Sequence, residues 1–186
     1  MLSKVDIGVV HGRFQVFHLK HMEYILAAKM RCKKLIIGME EPDRLSMKKE
    51  NPFTFYERFE MIQEALMDFG VVREEFDIVP LPMKYPERIL NYVPKEAVYY
   101  LNICDEEDMR MLELFEKLHL QTEVLMRKTP GKKGITGAEI RRSIALGEEW
   151  RQFVPKTVYD YIISRGLENR IFENEKQETY LDFLRI

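Results

Sequence analysis

Val5 to Val10 is an apolar run broken once by charge and ending at His11-Gly12, the pattern of a buried strand that stops at a glycine turn. From His18 to Met30 the apolar positions Met22, Ile25, Leu26 and Met30 recur at three- and four-residue steps, which predicts a helix with one buried face. Leu35-Ile36-Ile37-Gly38-Met39 then reads as a second strand, and strand, helix, strand in this order predicts a βαβ unit with parallel strands and a right-handed crossover. The alternation continues with a helix from about Thr54 to Phe69, whose start carries the Thr54 to Glu57 spacing of a capping box. Strands follow near Phe76 to Pro80 and Ala97 to Leu101, then a helix from about Glu106 to Leu118 and a fifth strand from Thr122 to Met126. Two helices, Gly137 to Leu146 and Pro155 to Ser164, complete the pattern; Pro155 suits a first helical turn and Gly166 a stop. The expectation is an open, doubly wound α/β sheet in one domain over residues 1–166, with 167–186 as a helical tail of that domain.

Composition narrows the class. The chain has 186 residues, enough to bury roughly two-thirds of its unfolded surface in one core. With 46% hydrophobic and 32% charged residues it is not of the disordered type, and no apolar run approaches the roughly 18 residues of a spanning helix, so no membrane is expected. A net charge of −2 supplies no general positive field and argues against a nucleic-acid polymer as partner, so any anion site is local. Cys32 and Cys104 lie far apart without metal-ligand spacing, which disfavours a disulfide framework and a zinc site; no metal ligand is expected among the side chains. The first residues, Met1 to Asp6, lack the apolar core of a secretory signal, and a cytoplasmic location is the expectation.

In a doubly wound sheet ligands bind outside the carboxyl ends of the strands, which directs attention to His11 to His21, Met39 to Thr54, Leu101 to Glu106 and Arg127 to Arg142. Strand one runs into Gly12-Arg13 and then into His18 and His21, two imidazoles three residues apart at a helix start. Beside exposed backbone N–H groups and the positive end of the helix they form a donor cluster suited to phosphate. Thr136 and Glu139 repeat the capping-box spacing; they mark either an ordinary helix start with two solvated arginines or a phosphate cradle, with Arg141 one turn in as a charge-assisted fork. The preceding Arg127 to Gly134 stretch, basic and containing two glycines, has the make-up of a phosphate-covering lid or of a solvated loop. His11 ends strand one beside the site, where burial against a backbone carbonyl explains it equally well.

Gly12-Arg13-Phe14-Gln15-Val16-Phe17-His18-Leu19-Lys20-His21 resembles the G-R-F-Q-P-F-H-x-G-H element of the nucleotidyltransferase superfamily, in the form found in archaeal-type nicotinamide-nucleotide (NMN) adenylyltransferases. Asn51-Pro52-Phe53-Thr54-Phe55-Tyr56-Glu57-Arg58 is similar to that group's N-P-F-T-x-x-E-R block. Ile135-Thr136-Gly137-Ala138-Glu139-Ile140-Arg141-Arg142 is similar to its S-G-T-E-[IV]-R-R, and Gly147 to Arg151 to its D-G-D-W-R. The departures are Lys20 for the motif glycine, Val16 for proline and Ala138 for threonine. Further, no tryptophan occurs in Met83 to Glu96, where NMN adenylyltransferases carry the one that stacks on nicotinamide; Trp150 is expected in the core.

The resemblance implies a Rossmann-like doubly wound parallel five-stranded sheet with C-terminal helices, and an enzyme that transfers AMP from ATP to a small phosphorylated acceptor with release of pyrophosphate. NMN or nicotinate mononucleotide is the leading acceptor and Mg2+ accompanies ATP. By motif position His18, His21 and Arg141 are catalytic, and Gly12, Arg13, Phe14, Gln15, Lys20, Thr136, Gly137 and Arg142 bind the nucleotide. Lys20 either adds a phosphate contact or crowds the nucleotide. Asn51, Arg58 and Asn102 are candidates for substrate binding, Asn51 having as its other reading a turn of the chain and Arg58 a surface pairing with Glu57 or Glu60. A homo-oligomer is the family expectation. The alternatives are a cytidylyltransferase making a CDP-linked metabolite, since Gly134-Ile135-Thr136 also resembles the G-I-S-T element found there, and a nucleotide-binding sensor with impaired turnover.

Overall fold

The computed structural model describes residues 4–42, 49–127 and 135–174. Five strands, β1 (Val5–Gly12), β2 (Cys32–Glu40), β3 (Phe76–Leu81), β4 (Val98–Ile103) and β5 (Gln121–Arg127), form one sheet in the order β3-β2-β1-β4-β5. Every pairing is parallel. Helices α1 (Leu19–Lys29), α2 (Phe55–Asp68), α3 (Glu106–Lys117), α4 (Gly137–Leu146) and α5 (Lys156–Ser164) alternate with the strands and then follow them. This is the Rossmann-like arrangement that the sequence pattern predicts. Strand order reverses between β1 and β4, so the carboxyl end of β1, with His11 and Gly12 as its last two residues, lies at the switch point.

The strands run longer than their apolar cores. β1 continues through His11 and Gly12, and β2 begins at Cys32, because backbone pairing with a parallel neighbour carries on past the hydrophobic residues: Val5 pairs with Cys32 and Gly12 with Met39. Central strands covered on both faces read as continuous apolar runs, as Val9, Val10, Leu35, Ile37 and Met39 do. Adjacent residues on a strand face opposite sides, and Tyr99 and Tyr100 show what covers each. The Tyr99 ring packs edge-on against Phe115 of α3 at 5.2 Å. On the other side, Tyr100 lies beside Cys32, whose thiol donates to the Ala28 carbonyl of α1. Gly8 is required there, since a Cβ would sit 2.7 Å from the Tyr100 ring.

The chain sorts into two compact units. The first spans Met1–Arg13, Lys20–Pro42 and Val71–Gly134 and contains the whole sheet with α3 and nearly all of α1. The second spans Phe14–Leu19, Asp43–Gly70 and Ile135–Ile186 and contains α2, α4 and α5. Within the second unit α2 and α5 are joined by the Tyr161 hydroxyl, which donates to Glu60 Oε2 at 2.5 Å, while the Arg165 guanidinium lies 3.7 Å over the Tyr161 ring. Trp150 is buried with its ring 4.7 Å from Tyr159, the core role expected of it. Residues 167–174 are helical, with Leu167 and Ile171 buried. Among the described residues no helix is long and apolar enough to cross a membrane.

Candidate active site

Five residues separate Arg13 from the first helix, and their packing is dictated by two rings. Phe14 and Phe17 are both buried, their centroids 5.8 Å apart, and Phe14 takes a left-handed φ of 51°. A non-glycine residue there costs roughly 1–2 kcal/mol, so burial of the ring must hold it in place. The loop ends at His18, only 5% exposed, and His21 follows half-buried in the first turn of α1.

Gln15 ties this loop to two other parts of the second unit. Its side-chain amide donates to the Phe53 carbonyl at 2.8 Å, and its side-chain carbonyl accepts the Phe53 N–H at 3.0 Å. Its backbone carbonyl receives the Arg141 guanidinium. Gly137, the first residue of α4, approaches the same atom so closely that a Cβ would lie 2.5 Å from it. The start of α4 is therefore seated on the backbone that leads into His18, within the second unit itself.

At the α4 start Thr136 is the N-cap of a complete capping box. Glu139 N–H donates to Thr136 Oγ1 at 3.2 Å, while Glu139 Oε2 accepts from Thr136 N–H at 2.6 Å and from its hydroxyl at 2.7 Å. Those two donors hold the Glu139 carboxyl below its ordinary pKa. A carboxylate of the protein thus occupies the anion-favouring helix end, with Ala138 and Arg142 exposed beside it.

The first unit carries the remaining motif residues. Gly12 closes β1, and Arg13 and Lys20 are exposed. The Lys20 ammonium donates to both Glu23 oxygens, at 2.8 and 2.7 Å. Asn102 is half-buried on β4 at a register irregularity opposite β5. His11 Nδ1 lies 2.6 Å from Glu40 Oε1, so its partner is a carboxylate on the next strand rather than a backbone carbonyl, and its ring packs edge-on against Phe115 at 5.3 Å.

The Asn51 to Arg58 block begins the second unit's helical layer. Thr54 caps α2 in the same way that Thr136 caps α4: Glu57 N–H donates to Thr54 Oγ1 at 3.1 Å, and Thr54 N–H donates to Glu57 Oε2 at 2.8 Å. Arg170 then closes on it. Its two terminal nitrogens donate to Glu57 Oε2 at 2.7 Å and Oε1 at 2.9 Å, and Nη1 also donates to the Pro52 carbonyl at 2.9 Å. Burial pushes the Glu57 carboxyl up, but the Arg170 fork and the Thr54 N–H outweigh it and the net pKa is lowered. Arg58 is 1% exposed with Nε donating to the Thr54 carbonyl at 3.3 Å, which corrects the reading of it as a surface partner of Glu57 or Glu60. Asn51 is 2% exposed, and among the described residues neither its Oδ1 nor its Nδ2 has a hydrogen-bond partner. Each buried polar atom left unanswered costs roughly 1–3 kcal/mol.

Arg170 was not legible as a site residue. It lies in the charged tail, outside every motif, and nothing in its local spacing points to Glu57, 113 residues earlier. The basic stretch 128–134 lies outside the described residues. Among the described residues no three His, Cys, Asp or Glu side chains come together as a metal-binding group.

Comparison with known proteins bears on the family and the fold. Residues 9–143 match the family described as Cytidylyltransferase-like. Phosphonoformate cytidylyltransferase of Streptomyces viridochromogenes is 40% identical over 175 residues, covering 88% of this chain and 94% of that protein. Nicotinamide-nucleotide adenylyltransferase of Saccharolobus solfataricus is 32% identical, covering 89% of this chain and 95% of that protein. Among solved structures, a bifunctional NMN adenylyltransferase/ADP ribose pyrophosphatase from Francisella tularensis, complexed with AMP and an Mn ion, superposes with a TM-score of 0.71 over 98% of this chain at 19% identity. This chain spans 56% of that longer one, and the likeness speaks to the fold alone. With the family matched over most of its length and a relative at 40% identity over nearly all of it, the chain belongs to the cytidylyltransferase-like family of nucleotidyltransferases.

Proposed function

We propose that this nucleotidyltransferase transfers a cytidylyl group from CTP to a small acceptor bearing a phosphonate or phosphate oxyanion. The acceptor oxygen attacks the α-phosphorus, the bond to the bridging oxygen of the β-phosphate breaks, and pyrophosphate leaves with the electron pair. Enzymes of this family generally use a divalent metal together with the nucleoside triphosphate; in this assignment the ion enters with the substrate, Mg2+ being the expected one.

The single observation that carries the reading is the seat of α4 on the Gln15 carbonyl, where Arg141 donates and Gly137 approaches, three residues before His18. Catalysis of such a transfer consists largely of alignment and neutralisation of spreading negative charge. In this assignment His18 and His21 donate to α- and β-phosphate oxygens, and His21 stabilises charge at the transition state. Arg141 turns from the Gln15 carbonyl to the leaving pyrophosphate, with Thr136, Gly137 and Arg142 at the helix end. Arg13 and Lys20 supply further cationic contacts, Lys20 by leaving Glu23.

Cytidylyl rather than adenylyl transfer is supported by the 40% identity to phosphonoformate cytidylyltransferase, against 32% to the nicotinamide-nucleotide adenylyltransferase of Saccharolobus solfataricus. The absence of tryptophan from Met83 to Glu96 points the same way, since a small anionic acceptor needs no stacking platform. The Asn51 to Arg58 block favours a second reading, AMP transfer from ATP to NMN.

The test is pyrophosphate release with CTP or ATP against a panel holding phosphonoformate, other small phosphonates and NMN. CTP with a phosphonate is expected to turn over and His21→Ala to abolish it. Turnover with ATP and NMN alone selects the second reading. Nucleotide binding with no release from any acceptor leaves a sensor and ends the catalytic one.

A further inference from the structure

The three residues that follow Asn51 are each bonded to another segment or side chain. Pro52 gives its carbonyl to Arg170, Phe53 has both backbone groups bonded to the Gln15 side chain, and Thr54 donates its N–H to Glu57. Glu57 is itself gripped by Arg170. A turn fixed by this many bonds has little freedom to bring the Asn51 side chain to a protein partner. Yet that side chain is 2% exposed, and among the described residues neither of its polar atoms has one. Buried polar groups in folded proteins are nearly always answered, so a rigidly held exception is a group waiting for something else. Its connection to the site is short, because the Gln15 that bonds Phe53 is the residue whose carbonyl receives Arg141.

We infer that the Asn51 carboxamide reads the nucleoside part of the triphosphate, taking up a group that presents a hydrogen-bond donor beside an acceptor. This rests on the nucleotidyl-transfer reading above and adds a specificity residue to it. An amide offers an N–H donor and a carbonyl acceptor side by side. Phosphate, phosphonate and carboxylate oxygens only accept, so they would answer Nδ2 and leave Oδ1 bare. A base edge such as N3 and the N4 amino group of cytosine answers both, as do the neighbouring hydroxyls of a ribose.

The experiment is calorimetric titration of wild type, Asn51→Leu and Asn51→Asp with the magnesium complexes of CTP, UTP, ATP, 2′-deoxy-CTP and inorganic triphosphate, beside thermal unfolding without nucleotide. Leucine matches asparagine in size and has no polar atom, so an amide with no partner to lose predicts an unchanged or raised unfolding midpoint. Affinity for the preferred nucleotide is expected to fall about tenfold to a hundredfold, with inorganic triphosphate unaffected. Reading of the base shows as a collapsed preference among CTP, UTP and ATP; reading of the ribose shows as a lost preference for CTP over 2′-deoxy-CTP. Asn51→Asp keeps the size and the acceptor but loses the donor, and carries the same expected loss should Asn51→Leu not fold. A lowered unfolding midpoint with every triphosphate bound as by wild type would make the amide a structural group and overturn the inference. Failure of wild type to bind any triphosphate would instead overturn the nucleotidyl-transfer reading itself.

Discussion

Two helices of the second unit begin with the same four-residue signature, Thr54 to Glu57 at α2 and Thr136 to Glu139 at α4, and both fold into complete capping boxes. At α2 the box is closed over: Glu57 is gripped by Arg170, Arg58 is buried beneath the helix and Asn51 is sealed just ahead of it. At α4 the box is open. Thr136 is half-buried, Glu139 is exposed, and Arg141 reaches from the helix to the Gln15 carbonyl. Local sequence sets a helix start in both cases; what surrounds it decides whether the start is closed over or left open.

The sharpest way to break this contrast is to remove the arginine of the open start. Arg141→Ala is expected to lower the rate of pyrophosphate release about a hundredfold to a thousandfold with little change in unfolding temperature, since the proposed function assigns the group to transition-state charge. An unfolding midpoint that falls with an unchanged rate would make Arg141 a brace for the Gln15 loop and erase the distinction between the two starts.

Next in size is the clamp. Arg170→Ala removes a bidentate charged pair and the bond to the Pro52 carbonyl, and is expected to cost about 1.5–3 kcal/mol in denaturant unfolding. The same pair sets a pH dependence. Glu57 has a lowered pKa in the folded chain, so below about 4.5, the ordinary value, the unfolded chain binds its proton first. The stabilisation is therefore complete above that pH and is lost as pH falls through the folded value. In Glu57→Gln the acid limb of an unfolding-versus-pH curve is expected to be shallower, whereas Glu139→Gln at the exposed start should alter it less.

Smallest is the loss of each cap. Thr54→Ala and Thr136→Ala are each expected to cost about 1 kcal/mol of stability. Only Thr136→Ala should also raise the KM for nucleotide, because Thr136 is the one assigned to phosphate. Equal KM effects would mean that the Thr54 hydroxyl also reaches phosphate.

Much of the fold could be read along the chain. Apolar runs of strand length separated by helix-period stretches predict five parallel strands and their helices, because burial on both faces of a central strand and on one face of a helix leaves its period in the sequence. The two threonine-glutamate spacings marked both helix starts, since a capping box is a bond between residues three apart. The short helical turn at Pro86–Asn91 left no such mark.

The candidate site was legible as a set of proposed residues, not as an arrangement. His18, Arg141, Thr136 and Asn51 could be named from motifs, but the bond from Arg141 to Gln15 spans 126 residues and the fork from Arg170 to Glu57 spans 113. No periodicity records a contact between segments that far apart, because periodicity reports only which face of an element is dry. Arg58 makes the point in one residue: its sequence surroundings are those of a solvated helix face, and packing placed it at 1% exposure. Elements and their caps follow from interactions within a few residues and so are written locally; burial of a charge, the partner of a carboxylate and the isolation of the Asn51 amide arise only when distant segments exclude water from the same volume.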